Sequence, residues 1–143
     1  MKCWIIFVLV LGSAFLVSSG SAQLSAQVCK DEEGMVADYK KAVMDLVSTV
    51  KKESLLDFQK AFHQKSVTTK LTFFGSMVDG LVNCLQKRAS DPNTLKEDAD
   101  AAKGKLDTYN KLKDKIKQDR DALKAATTEK DAKALIEKFD YTH

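Results

Sequence analysis

Apolar residues recur at helical spacing in the first long segment of the chain, residues 31–51. Positions seven apart, with one apolar residue between each pair, form a stripe along one face of an amphipathic helix. The stripe consists of Val36, Tyr39, Val43, Leu46 and Val50. The pattern predicts one long helix with a single buried face.

A serine followed three positions later by an acidic residue marks the start of a second, shorter helix. Ser54 and Asp57 have this capping spacing, in which the serine accepts from a free backbone N–H group. The predicted helix runs from Leu55 to about Lys65. Its predicted buried residues are Leu55, Phe58 and Phe62.

A third helix is predicted from a cap at Ser66 to about Arg88. Its apolar row is the broadest in the chain, which is typical of the most buried helix of a bundle. The row consists of Val67, Leu71, Phe74, Val78, Leu81 and Leu85.

The only proline of the chain predicts the start of a fourth helix. Asp91 is placed to cap it and Pro92 to occupy its first position, so the helix is expected from Pro92 to about Ala126. Its apolar line recurs every seven residues, and Thr128 can cap a short terminal helix. The apolar line consists of Leu95, Ala102, Tyr109, Ile116 and Leu123. The predicted fold is therefore all-α, a small antiparallel helical bundle of three long and two short helices.

The N-terminal segment has the three parts of a secretory signal peptide. Lys2 precedes an apolar run of about a dozen residues that ends in small residues before Ala22. The run is too short for a transmembrane helix, which needs about 20 apolar residues. We expect residues 1–22 to be removed, residues 23–143 to form a single domain, and the mature protein to be extracellular without a stable membrane anchor.

Two cysteines remain after the predicted cleavage, Cys29 and Cys84. In an oxidising compartment such a pair is expected to form a disulfide, with intermolecular pairing as the alternative. If the first and third helices are antiparallel, both cysteines lie at the same end of the bundle. The predicted bridge and the predicted topology therefore agree.

Charge and motifs restrict the classes of function. The chain has 23 basic and 20 acidic residues, a net charge of +3, which does not indicate nucleic-acid binding. His63 has no spaced Cys, His, Asp or Glu partner, and the sequence lacks the common nucleophile, zinc, P-loop and dinucleotide motifs. We expect no enzymatic activity, no metal and no cofactor.

Four phenylalanines form one candidate site. Phe58, Phe62, Phe73 and Phe74 lie close in sequence at the junction of the second and third helices. Phe73 and Phe74 point about 100° apart on a helix, so one can face the core while the other faces a ligand or partner. The alternative is an aromatic core cluster.

Four basic residues form a second candidate, a possible anion-binding stripe. Lys113, Lys117, Arg120 and Lys124 have the spacing of a single helix face. The alternative is a solvated helix edge, since acidic residues interleave with them in sequence.

Two hypotheses of function follow. In the first, the protein is a secreted, non-enzymatic binding or effector protein that acts through a helix face on an extracellular macromolecule, most simply a protein partner. In the second, it carries a small hydrophobic ligand between its second and third helices, near the phenylalanines.

Overall fold

In the computed structural model, which describes residues 29–143, helices account for most of the chain. α1 covers residues 29–52, and the later helices are α2 (Leu55–Lys60), α3 (His63–Ser90), α4 (Lys96–Ala125) and α5 (Glu129–Ile136). Residues 29–143 include no strand, and the predicted all-α fold class is confirmed. The predicted signal peptide, residues 1–22, lies outside the described residues.

The three long helices run up, down and up. Cys29, at the start of the described part of α1, is bonded to Cys84 near the end of α3, with 6.0 Å between the two Cα atoms. In α3 and α4, the side chain of Asp79 lies 2.6 Å from that of Lys113, and Gln64 contacts the carbonyl of Ala126. Each long helix is therefore antiparallel to the next, and the predicted bundle and disulfide are confirmed.

The hydrophobic core lies between the long helices and follows the predicted stripes. In α1 the valines of the stripe are buried, while Tyr39 and Leu46 are partly buried. The predicted apolar row of α3 is buried throughout: Val67, Leu71, Phe74, Val78, Leu81 and Leu85. The core therefore forms from the residues whose spacing predicts one shared helical face.

The second helix is shorter than predicted. Ser54 caps it as expected and accepts from the backbone N–H of Asp57 at 3.2 Å, but the helix ends at Lys60. Phe62 adopts a left-handed backbone conformation with φ 53°, which an α-helix cannot continue. The predictions that Leu55 and Phe62 are buried are wrong, because both side chains are exposed, and only Phe58 is buried.

The third helix begins earlier than predicted, at His63. Ser66 is not its cap: its backbone N–H already donates to the carbonyl of Phe62 at 3.1 Å, inside the first helical turn. Gln64 donates from its side chain to the carbonyls of Leu123 and Ala126, each at 3.1 Å. The first turn of α3 is thus held against the end of α4, a long-range contact that local capping rules do not detect.

The fourth helix begins later than predicted, at Lys96. Asp91 accepts from the backbone N–H of Asn93 at 2.8 Å and its carbonyl accepts from Thr94 at 3.1 Å, so it closes a turn and does not cap a helix at Pro92. The predicted place of Leu95 in the apolar line is wrong, because Leu95 precedes the helix and is 72% exposed. The remaining apolar line faces the core, with Ala102, Ile116 and Leu123 buried and Tyr109 partly buried.

The C-terminal segment packs back onto the bundle. Thr128 caps α5 as predicted and accepts from the backbone N–H of Asp131 at 3.1 Å. Beyond α5, Phe139 and Tyr141 are both buried. The ring of Tyr141 meets the edge of Phe74, with 5.6 Å between ring centroids, and its hydroxyl donates to Asp119 at 2.8 Å. This segment therefore covers the side of α3 and α4.

Candidate functional site

The structure divides the four phenylalanines of the first candidate site into two pairs. Phe58 and Phe74 are completely buried, and their rings pack against His63 and Tyr141 respectively. Phe62 is 74% exposed and Phe73 is 52% exposed. One pair is therefore part of the core, and the other pair faces solvent.

Phe62 combines an exposed ring with an unfavourable backbone. Among residues 29–143, it is the only non-glycine residue with a positive φ. For an L-residue with a Cβ atom, the left-handed conformation costs roughly 1–2 kcal/mol. An exposed aromatic ring gains little from burial to offset that cost. The left-handed backbone of Phe62 ends α2, but the exposed ring gains nothing from the core, and strained backbone of this kind is often retained at functional sites.

Phe62 and Phe73 both line a shallow groove, which we call the α3 groove. Most of its wall is one face of α3, to which α1 adds Tyr39 and the α2–α3 turn adds Ala61. Its volume is about 480 Å³. The lining residues are Tyr39, Ala61, Phe62, Lys65, Ser66, Thr69, Lys70 and Phe73. Phe62 and Phe73 are eleven positions apart, which corresponds to about 16 Å along a helix axis.

The polar groups of the α3 groove lack partners within the described part of the chain. Lys65 and Lys70 form no ion pair or hydrogen bond there, and no acidic residue lines the groove. The hydroxyls of Ser66 and Thr69, which line the groove, form no hydrogen bond among these residues. The groove thus presents ammonium and hydroxyl groups beside aromatic rings.

The basic stripe of α4 is partly neutralised by its neighbours. Lys113 pairs with Asp79 of α3 at 2.6 Å, and this hydrogen bond raises the pKa of Lys113 above its usual value. Arg120 pairs with Asp121 at 3.2 Å. Lys117 and Lys124 are exposed and have no ion pair within residues 29–143. Only half of the predicted stripe is therefore available to an external anion.

His63 has a partner that sequence spacing did not reveal. Its Nε2 atom lies 2.8 and 3.0 Å from the two carboxylate oxygens of Glu53, which stands ten residues earlier at the end of α1. The buried Nδ1 atom has no hydrogen-bond partner in the described structure. Residues 29–143 include no group of three His, Cys, Asp or Glu side chains placed to hold a metal ion. The pair therefore joins α1 to α3 across the α2 turn.

No protein-family model, curated protein or solved structure matches this chain. Within the described residues, no helix is both long enough and apolar enough to cross a membrane. The α3 groove is the place where the sequence-predicted aromatic residues and exposed, unpartnered groups coincide.

Proposed function

We propose that this chain is a secreted, non-enzymatic binding protein that acts on an extracellular protein through the α3 groove. The observation that carries the proposal is the exposed ring of Phe62 on a left-handed backbone. Exposed aromatic side chains are favoured at protein interfaces, where they supply large contact areas at low cost in side-chain entropy.

The extracellular part of the proposal is supported by the disulfide and by the N-terminal sequence. Structural disulfides persist mainly in oxidising compartments. The Cys29–Cys84 bond joins two long helices of the bundle. Together with the signal-peptide pattern of residues 1–22, it favours a protein that passes through the secretory pathway.

A protein partner is favoured over an enclosed small ligand by the positions of the phenylalanines. Phe58 and Phe74 are completely buried and pack against His63 and Tyr141, so neither ring is accessible to a ligand in this structure. The other two rings, Phe62 and Phe73, are open to solvent. Small-molecule sites usually bury most of their ligand, whereas protein interfaces use open, shallow surfaces of this kind.

The test is affinity capture from extracellular fluid of the source with the oxidised protein. The wild type is compared with the double variant Phe62→Ala/Phe73→Ala and with the control Leu95→Ala, which removes an equally exposed side chain outside the groove. We expect saturable capture of a protein by the wild type and the control, and loss of capture by the double variant.

Equal capture by all three proteins would contradict the proposed site. Native mass spectrometry of the same samples addresses the second hypothesis. A small hydrophobic molecule bound to the wild type and absent from the double variant would favour a carrier over a protein-binding function. Helix content measured by circular dichroism establishes that each variant is folded.

A further inference from the structure

We infer that the partner segment recognised by the α3 groove is an acidic amphipathic helix. This inference rests on the proposed function and specifies the chemistry of the partner. It combines two independent properties of the groove, its unpaired positive charge and the separation along α3 of the two residues that carry its exposed rings.

The charges of the groove favour an acidic partner. Lys65 and Lys70 are the only charged residues that line it, and neither forms an ion pair within residues 29–143. Glu129 lines a neighbouring hollow together with Lys65 but forms no ion pair with it. Carboxylates on a partner would therefore meet two ammonium groups that are not committed to other residues, and the resulting pairs would orient the partner.

The spacing of the rings favours a helix. Phe62, the residue just before α3, and Phe73 are separated by eleven positions, so their backbones lie about 16 Å apart along the helix axis, which is close to three turns of an α-helix. Apolar side chains at positions i and i+11 of a partner helix lie on one face and can reach both rings. Lys65 and Lys70 lie between the rings, opposite the two middle turns of such a helix. Ser66 and Thr69 are small, so they allow the partner to approach the groove closely.

An anionic membrane fits the groove less well. Recognition of anionic lipids commonly uses clusters of about four to eight basic residues on one surface. The groove offers Lys65 and Lys70, with hydroxyl groups and aromatic rings between and beside them. A shallow groove with two charges matches one charged face of a helix more closely than a uniformly charged membrane surface.

The test uses a synthetic, fluorescently labelled helical peptide of about five turns. It carries leucine at positions i and i+11. Its glutamates lie between the two leucines, on the same face of the helix. Binding to the oxidised protein is followed by fluorescence anisotropy. The charge-reversal variant is Lys65→Glu/Lys70→Glu. The matched control, Lys117→Glu/Lys124→Glu, changes the net charge equally at two exposed lysines of α4.

We expect the wild type and the α4 control to bind the peptide with similar affinity, and charge reversal in the groove to weaken binding at least about tenfold. A second peptide with lysine in place of each glutamate should bind the groove variant more tightly than it binds the wild type. This exchange of charges tests direct contact between the peptide and the groove.

Three results would overturn the inference: equal weakening in both lysine variants, no binding of the acidic peptide to the wild type, or tighter binding of the groove to vesicles containing phosphatidylserine. If the acidic peptide does not bind the wild type while capture of the native partner still depends on Phe62 and Phe73, the proposed function stands and only the class of partner is wrong. If capture is also independent of these rings, both proposals fail.

Discussion

At the scale of single residues, Phe62 adopts a left-handed backbone conformation that is unfavourable for a residue with a Cβ atom. Its backbone ends α2 and lets α3 begin at His63, so some residue must adopt this conformation. Glycine adopts it without the steric cost that a Cβ atom imposes. The phenylalanine at this position therefore carries a steric cost that glycine would avoid.

Phe62→Gly is expected to raise the free energy of unfolding by about 1 kcal/mol, because it relieves the left-handed conformation and removes a ring that is 74% exposed. Urea denaturation measures the change. The control is Phe73→Gly, in the middle of α3, which is expected to lower the free energy of unfolding by about 1 kcal/mol. A loss of stability in Phe62→Gly would show that the ring contributes substantial packing.

Tyr141 gives a second prediction at this scale, concerning alkaline pH. Burial, followed by the hydrogen bond to Asp119 and the negative charge of that residue, raises the pKa of Tyr141 well above its usual value. Unfolding exposes the phenol, whose pKa returns to about 10. Above that pH the unfolded state releases the proton before the folded state does, so Tyr141 makes stability fall as pH rises.

The variant Tyr141→Phe should be about 1–2 kcal/mol less stable than the wild type at pH 7, since the hydrogen bond to Asp119 is lost. The difference should shrink between pH 10 and 11.5, because only the wild type loses the contribution of this phenol. Denaturant unfolding at a series of pH values measures both effects. A difference that stays constant with pH would contradict the assigned cause.

At the scale of helices, the sequence predicts which faces are buried better than it predicts where helices begin. The apolar rows of α1 and α3 are correct because burial of one face follows directly from helical periodicity. The start of α3 depends on the contact of Gln64 with the end of α4, and the start of α4 depends on which turn Asp91 closes. The start of α3 therefore depends on a distant residue. The start of α4 depends on a choice between two local turns that the sequence permits equally well.

The same limit applies to the candidate site. Adjacent positions such as Phe73 and Phe74 were predicted to point in different directions, and the structure places one outside and one inside. The exposure of Phe62 was missed because α2 was expected to continue past Lys60. Lys65 and Lys70 could not be selected from sequence, since their importance comes from the absence of ion pairs to either lysine within residues 29–143.

The N-cap of α5 can be tested by substitution. Thr128→Ala removes the hydroxyl that accepts from the backbone N–H of Asp131 and should lower the free energy of unfolding by about 1 kcal/mol. Thr127→Ala, one residue earlier and exposed, is the matched control and should change stability by less than about 0.5 kcal/mol. Similar losses in both variants would indicate that the cap contributes nothing specific to α5.

At the scale of the whole molecule, two connections between α1 and α3 hold the ends of the bundle. The disulfide joins α1 to α3 at one end, and the pair of His63 with Glu53 joins them at the other. A disulfide acts mainly by restricting the unfolded chain, and this effect increases with the length of the closed loop. The large separation of 55 residues gives this bond a substantial effect.

The double variant Cys29→Ala/Cys84→Ala is expected to lose about 4 kcal/mol of unfolding free energy by this chain-entropy argument. Thermal and urea unfolding measure the loss. Reduced and alkylated wild-type protein provides an independent comparison. If the unfolding free energies of the double variant and of the alkylated wild type are both within about 1 kcal/mol of that of the oxidised protein, the disulfide does not stabilise the fold by loop closure.

The covering of α3 and α4 by the C-terminal segment also sets an order of events during biosynthesis. Tyr141 follows Phe74 and Asp119, its partners in α3 and α4, so the ribosome makes it after both of its supporting helices. Cys29 and Cys84 are both synthesised much earlier, before any of α4. The nascent chain can therefore acquire its covalent link first, while the sides of α3 and α4 that Tyr141 covers stay open to chaperones until translation has passed residue 141.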